Sequence, residues 1–384
     1  MLKRIYINNF RCLVNFELKI DSLSLFIGAN ASGKSTVFAA LIKLQKFILG
    51  EDFSEDGYQV AALFKKSDLT RWQNASIQKF ELDIEGNGGI YKYVLEVEHL
   101  GDYEPPRMRT EKLSFGNDPL FEFSLQPDDR GILRGHARLY NDDPSREGVV
   151  FPFFKSSGSG VGFVYDRPEN KKLTWFKKRI ANFFIVHINP GLMNSESRQE
   201  ERHPNWEMSN YAAWYSYLSQ ANQGQIIKLT LELQNIIPGF DSFQNPKSGE
   251  DARSLSASFK LPSKSIYKFD ELSDGQKAII ALYTLMYVAA DEDCTLCIDE
   301  PENFLALPEI QPWLEKIDEY FMGDGCQVIL ISHHPSIIND LGNNSGYWFY
   351  REDNQAVRFL PINGEGKDGL SLAKLIELGW IYDK

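Results

Sequence analysis

The sequence predicts an α/β fold, and three observations carry that prediction. Short, mostly apolar runs end in glycine, acidic or histidine clusters, as buried strands of a parallel sheet do. The first of these, Leu23-Ser24-Leu25-Phe26-Ile27, feeds a glycine-rich loop that opens a helix-like stretch from Val37. The second half of the chain then alternates further strands and helices as far as the segment Ser371 to Leu378.

The loop reads Gly28-Ala29-Asn30-Ala31-Ser32-Gly33-Lys34-Ser35-Thr36. Every fixed position of the Walker A pattern is filled, between a strand and a helix, which is the context that pattern requires. Gly28 and Gly33 let the backbone close around a phosphate, and amides at the helix start point at its oxygens. Lys34 is expected to reach the β- and γ-phosphates, and the Ser35 hydroxyl to ligate Mg²⁺. Asn30 and Thr36 complete the expected nucleotide contacts. A chance glycine-rich turn is the alternative, and it would not fill every position.

Three later segments add to this. In Phe269-Asp270-Glu271-Leu272-Ser273-Asp274-Gly275-Gln276-Lys277, Ser273 supplies a hydroxyl and Gly275 an open amide at a helix start. Read plainly, this is an N-capped helix with Gln276 as the reciprocal partner of Ser273. A capped helix start is also an anion site, so both readings hold together. Thr295-Leu296-Cys297-Ile298 is a short apolar strand ending in Asp299-Glu300. Asp299 is placed to hold Mg²⁺ and Glu300 to polarise an attacking water. Finally, Gln327-Val328-Ile329-Leu330-Ile331 ends in Ser332-His333-His334.

Together these segments resemble the ABC ATPases. The pentapeptide Leu272 to Gln276 is similar to their signature motif, Ile298 to Glu300 to their Walker B, and His333 to their switch histidine, with His334 as the second candidate. Within that family the chain resembles the RecF, SMC and OLD branch. It opens Ile5-Tyr6-Ile7-Asn8-Asn9-Phe10-Arg11, and its Walker B continues Pro301-Glu302-Asn303. The stretch from Phe269 to Leu282, with Trp214-Tyr215 and Ile237-Pro238-Gly239-Phe240 ahead of it, resembles RecF-like ATPases of bacterial defence operons. The resemblance implies an ABC ATPase (P-loop NTPase) head that uses ATP and Mg²⁺. It implies a homodimer or higher even oligomer in which Ser273 and Gly275 close over the partner's nucleotide. It further implies a nucleotide-gated role in antiphage defence, beside a separate effector such as a TOPRIM-type nuclease. Asp291-Glu292-Asp293 carries a TOPRIM-like pair of acids, but the loop feeding the Walker B strand is the wrong place for it.

Two departures stand out. No glutamine clearly fills the Q-loop position: Gln73 and Gln78 follow no evident buried strand, whereas Phe183 to Pro190 does end a strand but offers Asn189. The family's Leu-His-Pro is replaced by Leu305-Ala306-Leu307-Pro308.

Between the first and second motifs, short alternating runs such as Phe80 to Ile84 and Tyr91 to Leu95 predict an antiparallel β-subdomain from Ser76 to about Phe154. Ile226, Leu229, Leu233 and Ile236 keep one helix face apolar until Pro238-Gly239. No heptad series follows, so a short helical insert is expected in place of a long coiled coil. The expected organisation is an N-terminal lobe over 1–190, the insert over 191–250 and a C-terminal lobe over 251–384.

The 384 residues carry a net charge of −12, which disfavours indiscriminate coating of DNA. One segment reverses the balance: Arg167, Lys171, Lys172, Lys177, Lys178 and Arg179 surround Trp175 and Phe176. It reads as a solvated helix face or as a surface for nucleic acid or an acidic protein. The longest apolar run is too short to cross a bilayer, and no secretory signal is evident, so a cytoplasmic protein without membrane partners is expected. The four cysteines suggest no disulfide framework, and Cys294 and Cys297 read as core residues. The same motifs leave open a RecF-like repair ATPase acting on duplex DNA and, less well matched, a transporter ATP-binding subunit.

Overall fold

A computed structural model describes residues 1–52, 57–101, 104–143, 145–152, 154–249, 251–260, 263–289, 293–321, 326–353, 355–362 and 370–378. Asp291 and Glu292 of the TOPRIM-like triplet lie outside the described residues. The chain divides into two units, each discontinuous in sequence. The first comprises 1–21, 28–183 and 347–361, and the second 22–27, 184–346 and 362–384.

The first unit is built on an eight-stranded sheet. Its spatial order is Phe16–Lys19, Leu2–Asn8, Ile77–Gly86, Gly89–Glu98, Arg107–Phe115, Asp118–Pro127, Leu133–Leu139 and Val149–Pro152. All neighbours are antiparallel, so the expected meander is present. Period-two alternation sets its faces: Phe80, Leu82 and Ile84 are buried, while Glu81 and Asp83 between them are part-exposed. Asn87 and Gly88, at φ 51° and 80°, turn the chain between Gly86 and Gly89, as a tight hairpin needs.

The opening Asn-Phe-Arg acts structurally in this unit. Asn9 is fully buried, its amide donating to the carbonyls of Ala75 and Ile77. Arg11 Nε lies 2.9 Å from Asp68 Oδ1, and Lys43 Nζ lies 3.1 Å from Asp68 Oδ2. Gln78 is consumed here as well, donating to the carbonyls of Asn9 and Asp68 and meeting His99 Nε2 through its own oxygen.

The helix Lys171–Ala181 corrects the reading of the basic segment as one surface. Arg179 is buried with its guanidinium over the Phe183 ring, and Lys177 Nζ donates to the carbonyls of Gly162 and Val164. Lys172 lies over Phe115, and Trp175 stacks on Tyr91. Only Arg167, Lys171 and Lys178 remain exposed. An amphipathic helix docked on the sheet uses the rest.

The second unit holds four neighbouring strands of a larger sheet, in the order Phe183–Val186, Thr295–Asp299, Gln327–Ile331 and Leu23–Gly28. Thr295 to Asp299 pair in parallel with Gln327 to Ile331, and Val328 to Ile331 with Leu23 to Phe26. Residues Leu296 to Ile298 and Val328 to Ile331 are wholly buried, as strands covered on both faces must be. The helix Asp274–Ala289 packs a continuous apolar run, Ala278 to Leu282, into this core. Tyr211 stacks on Phe269 with centroids 4.7 Å apart and shares a 2.8 Å hydrogen bond with Thr284.

The expected insert supplies the helices Tyr211–Ala221 and Gln223–Ile236, of 11 and 14 residues. Leu229 and Leu233 are buried, and the second helix stops before Pro238. One reading of the cysteines is corrected. Cys294 and Cys326 are joined in a disulfide, because they immediately precede neighbouring parallel strands, whereas Cys297 is a buried thiol. No helix among the described residues is long and apolar enough to cross a membrane.

Candidate functional site

The phosphate loop belongs to the first unit. Gly28 and Gly33 stand at φ 149° and 102°, where side-chain-bearing residues are strained. Space excludes a side chain too: a Cβ on Gly33 would collide with Val357 Cγ2, and one on Gly28 would strike the Phe349 carbonyl oxygen. Gly33 caps the helix Lys34–Leu49, so the helix's first amides open into the loop. Lys34 is buried, with Nζ donating to the carbonyls of Gly28 (2.8 Å) and Ala29 (3.0 Å) and to Ser32 Oγ (3.4 Å). Asn30 and Ser35 are exposed, and Thr36 is half-buried. Arg351 Nη1 reaches the Ala31 carbonyl at 3.4 Å while its guanidinium lies over the Trp72 ring. No local pattern pointed to Arg351, which is 320 positions from Ala31.

The remaining motifs belong to the second unit. The capping box is present: Gln276 N donates to Ser273 Oγ at 3.3 Å, and Ser273 N donates to Gln276 Oε1 at 3.1 Å. A Cβ on Gly275 would lie 3.2 Å from the Phe304 carbonyl, so the signature start faces the residues after Walker B. Asp299 ends its strand buried, and the Glu300 amide donates to the Ile331 carbonyl at 2.8 Å. Glu300 adopts φ 53°, a left-handed conformation costly for a non-glycine residue.

Two residues that motif reading passed over organise this end of the sheet. Asn303 Nδ2 donates to Glu300 Oε2 at 2.8 Å. Glu302 Oε1 accepts from Ser332 Oγ at 2.7 Å and from the His333 amide at 3.1 Å. His333 is thereby left exposed, whereas His334 accepts from the Ser336 amide and caps the next helix.

The strand neighbouring Walker B ends in His187, Ile188 and Asn189. His187 Nδ1 lies 3.2 Å from the Asp299 carbonyl, and its ring stacks on Trp206. The buried Lys277 of the signature helix donates to the Pro190 carbonyl at 2.9 Å, clamping this segment from the other side.

Residues 23–339 match the family described as "AAA domain, putative AbiEii toxin, Type IV TA system". The chain belongs to that family. A protein of Thermus scotoductus (strain ATCC 700910 / SA-01) named "OLD nuclease" is 24% identical over an alignment of 401 positions that covers 100% of this chain and 68% of that protein. An SMC head solved bound to the C-winged helix domain of ScpA superposes with a TM-score of 0.51 at 12% identity. That superposition covers 94% of this chain and 98% of the SMC head, and it bears on the fold alone. The chain is an ABC-type ATPase of the RecF, SMC and OLD branch, with the P-loop ABC fold. In this ABC-type ATPase the loop lysine, the capped signature helix and the acidic strand end all occupy the elements that the sequence assigned them.

Proposed function

We propose that the protein binds ATP with Mg²⁺ and hydrolyses it, as a dimer whose closure is gated by nucleotide. The observation that carries this is the phosphate loop, where two glycines that exclude any Cβ and a buried lysine surround a helix N-terminus. That construction suits an oligophosphate: backbone amides and an ammonium supply positive potential without steric obstruction. Lys34 would exchange loop carbonyls for phosphate oxygens, and Ser35, exposed in the first turn, would offer its hydroxyl to Mg²⁺. Asp299 would offer its carboxylate to the metal. Mg²⁺ would neutralise charge developing on the phosphates.

Glu300 would orient and polarise the attacking water, with Asn303 fixing the carboxylate that does so. His333, its amide held by Glu302, would contact the γ-phosphate. Ser273, Gly275 and Gln276 would present the signature helix start to the nucleotide of a second copy.

The test is equilibrium ATP binding and single-turnover hydrolysis for two variants. Lys34→Ala should lose binding, whereas Glu300→Gln should bind normally and lose turnover by at least about a hundredfold, the contribution of a positioned general base. Equal ATP affinity for wild type and Lys34→Ala would sink the assignment.

The biological reading is a sensor or scaffold in antiphage defence that acts with a separate nucleolytic effector. Its support is the family description and the name of the Thermus relative. Incubating the purified chain with plasmid, ATP and Mg²⁺ or Mn²⁺ checks the separate effector: intrinsic cleavage surviving repurification would refute it. Tight ATP-dependent binding to duplex DNA would instead favour the repair reading.

A further inference from the structure

A cavity lined by three cations lies in the second unit, outside every motif described above. Three short strands pair antiparallel in the order Glu196–Ser197, Ala252–Ser254 and Lys247–Ser248. Arg253 stands directly opposite Ser197 on one side and Lys247 on the other. Residues paired directly across a ladder share a face, with Cβ atoms about 5 Å apart, and like charges so placed destabilise the sheet. Arg198, Lys247 and Arg253 nevertheless form no ion pair among the described residues. Among the described residues the guanidinium of Arg253 reaches a backbone carbonyl, that of Asn245, at 3.2 Å.

These cations line a cavity of about 390 Å³, and Ser197 and the buried Ser216 line it too. The Ser216 hydroxyl is fixed, accepting from Asn245 Nδ2 at 2.6 Å and donating to the Ala212 carbonyl at 2.9 Å. Glu200 and Asp251 complete the charged lining; the Glu200 carboxylate accepts from the Gln220 amide, and neither acid pairs with the three cations. Three cations beside two carboxylates suit a compact anion that also carries hydrogen-bond donors. A polyanion threaded along the cavity would meet the carboxylates unfavourably, whereas a terminal phosphate monoester brings its charge to the cations at one point.

We propose that this cavity binds the terminal phosphate monoester of a nucleotide-type ligand. Lys247 and Arg253 hold the phosphate in charge-assisted hydrogen bonds, which also relieves their mutual repulsion. Arg198 adds a third cation, and the carboxylates accept from ligand hydroxyl or amino groups. The ligand is either a free mononucleotide or the phosphorylated 5′ end of a strand. The inference is independent of ATP hydrolysis at the phosphate loop.

The test compares wild type, Lys247→Ala and Arg253→Ala at constant ionic strength. AMP, a 5′-phosphorylated trinucleotide and its unphosphorylated form are titrated separately. The phosphate loop is the same in all three proteins, so differences between them report on the cavity. Each variant should lose at least tenfold in affinity for one phosphorylated probe, and the probe affected identifies the source. Melting in phosphate-free buffer should be unchanged or raised in both variants, and the rise in Tm that inorganic phosphate gives wild type should be smaller in them. Three results would overturn the site: identical affinities in all three proteins, equal binding of the unphosphorylated trinucleotide, or lower melting of both variants with an undiminished phosphate response.

Discussion

Asn303 holds the Glu300 carboxylate through a 2.8 Å hydrogen bond from Nδ2 to Oε2, three residues along a turn in which Glu300 itself has positive φ. The backbone conformation aims the carboxylate, and the amide fixes its rotation. Asn303→Leu should therefore lower kcat and leave ATP affinity nearly unchanged. A hydrogen bond to a charged group is worth about 1.5–3 kcal/mol, or roughly ten- to a hundredfold in rate. A loss confined to ATP affinity would show that Asn303 serves binding instead.

Gly33→Ala should abolish nucleotide binding. The added methyl collides with Val357 Cγ2, and the φ of 102° is unfavourable for alanine. Pairing it with Val357→Ala removes the collision but not the backbone strain. Fluorescent-nucleotide titration should show partial recovery in the double variant, and full recovery would mean that space alone decides this position.

Composite sites make a sharper demand. Chains carrying Lys34→Ala and chains carrying Gly275→Asp should each be inactive alone. Mixed, they should regain activity, because in the proposed dimer one heterodimer site would combine an intact loop with an intact signature helix. Steady-state phosphate release measured across mixing ratios should pass through a maximum near equal proportions. A flat line, with subunit exchange shown by mass photometry, would reject the arrangement.

Acid should loosen the first unit through Asp68. Burial raises the pKa of this carboxyl, but the charges and hydrogen bonds of Lys43 and Arg11 outweigh it, and the net value falls below the ordinary 3.8. A depressed folded pKa means stability that is fully present above the unfolded value and is lost as pH falls through the folded one. Asp68→Asn should cost about 2 kcal/mol at pH 7, since the buried carboxylate loses its charge-assisted hydrogen bonds to the half-buried Lys43 and the exposed Arg11. The gap between variant and wild type should narrow below pH 4 in urea titrations. A constant gap down to pH 3 would mean that the ion pairs contribute nothing.

The sequence alone determined those parts of the protein whose physics is local. The phosphate loop, the Ser273–Gln276 capping box and the apolar strands ending at Asp299 and Ile331 each complete their hydrogen bonds or burial pattern within a few residues. The antiparallel sheet was legible for the same reason, since period-two alternation and short turns fix each neighbour. Only the tertiary structure decided which distant groups meet. Gln78 became a structural brace, and His187 rather than a glutamine came to lie beside Asp299. Arg351 reached the phosphate loop, Cys294 met Cys326, and Arg179 was drawn from an apparent basic surface into the core. These contacts join residues about 30 to more than 300 positions apart, or turn on which helix face docks against the sheet. Topology sets them, and a local pattern of residues carries no record of it.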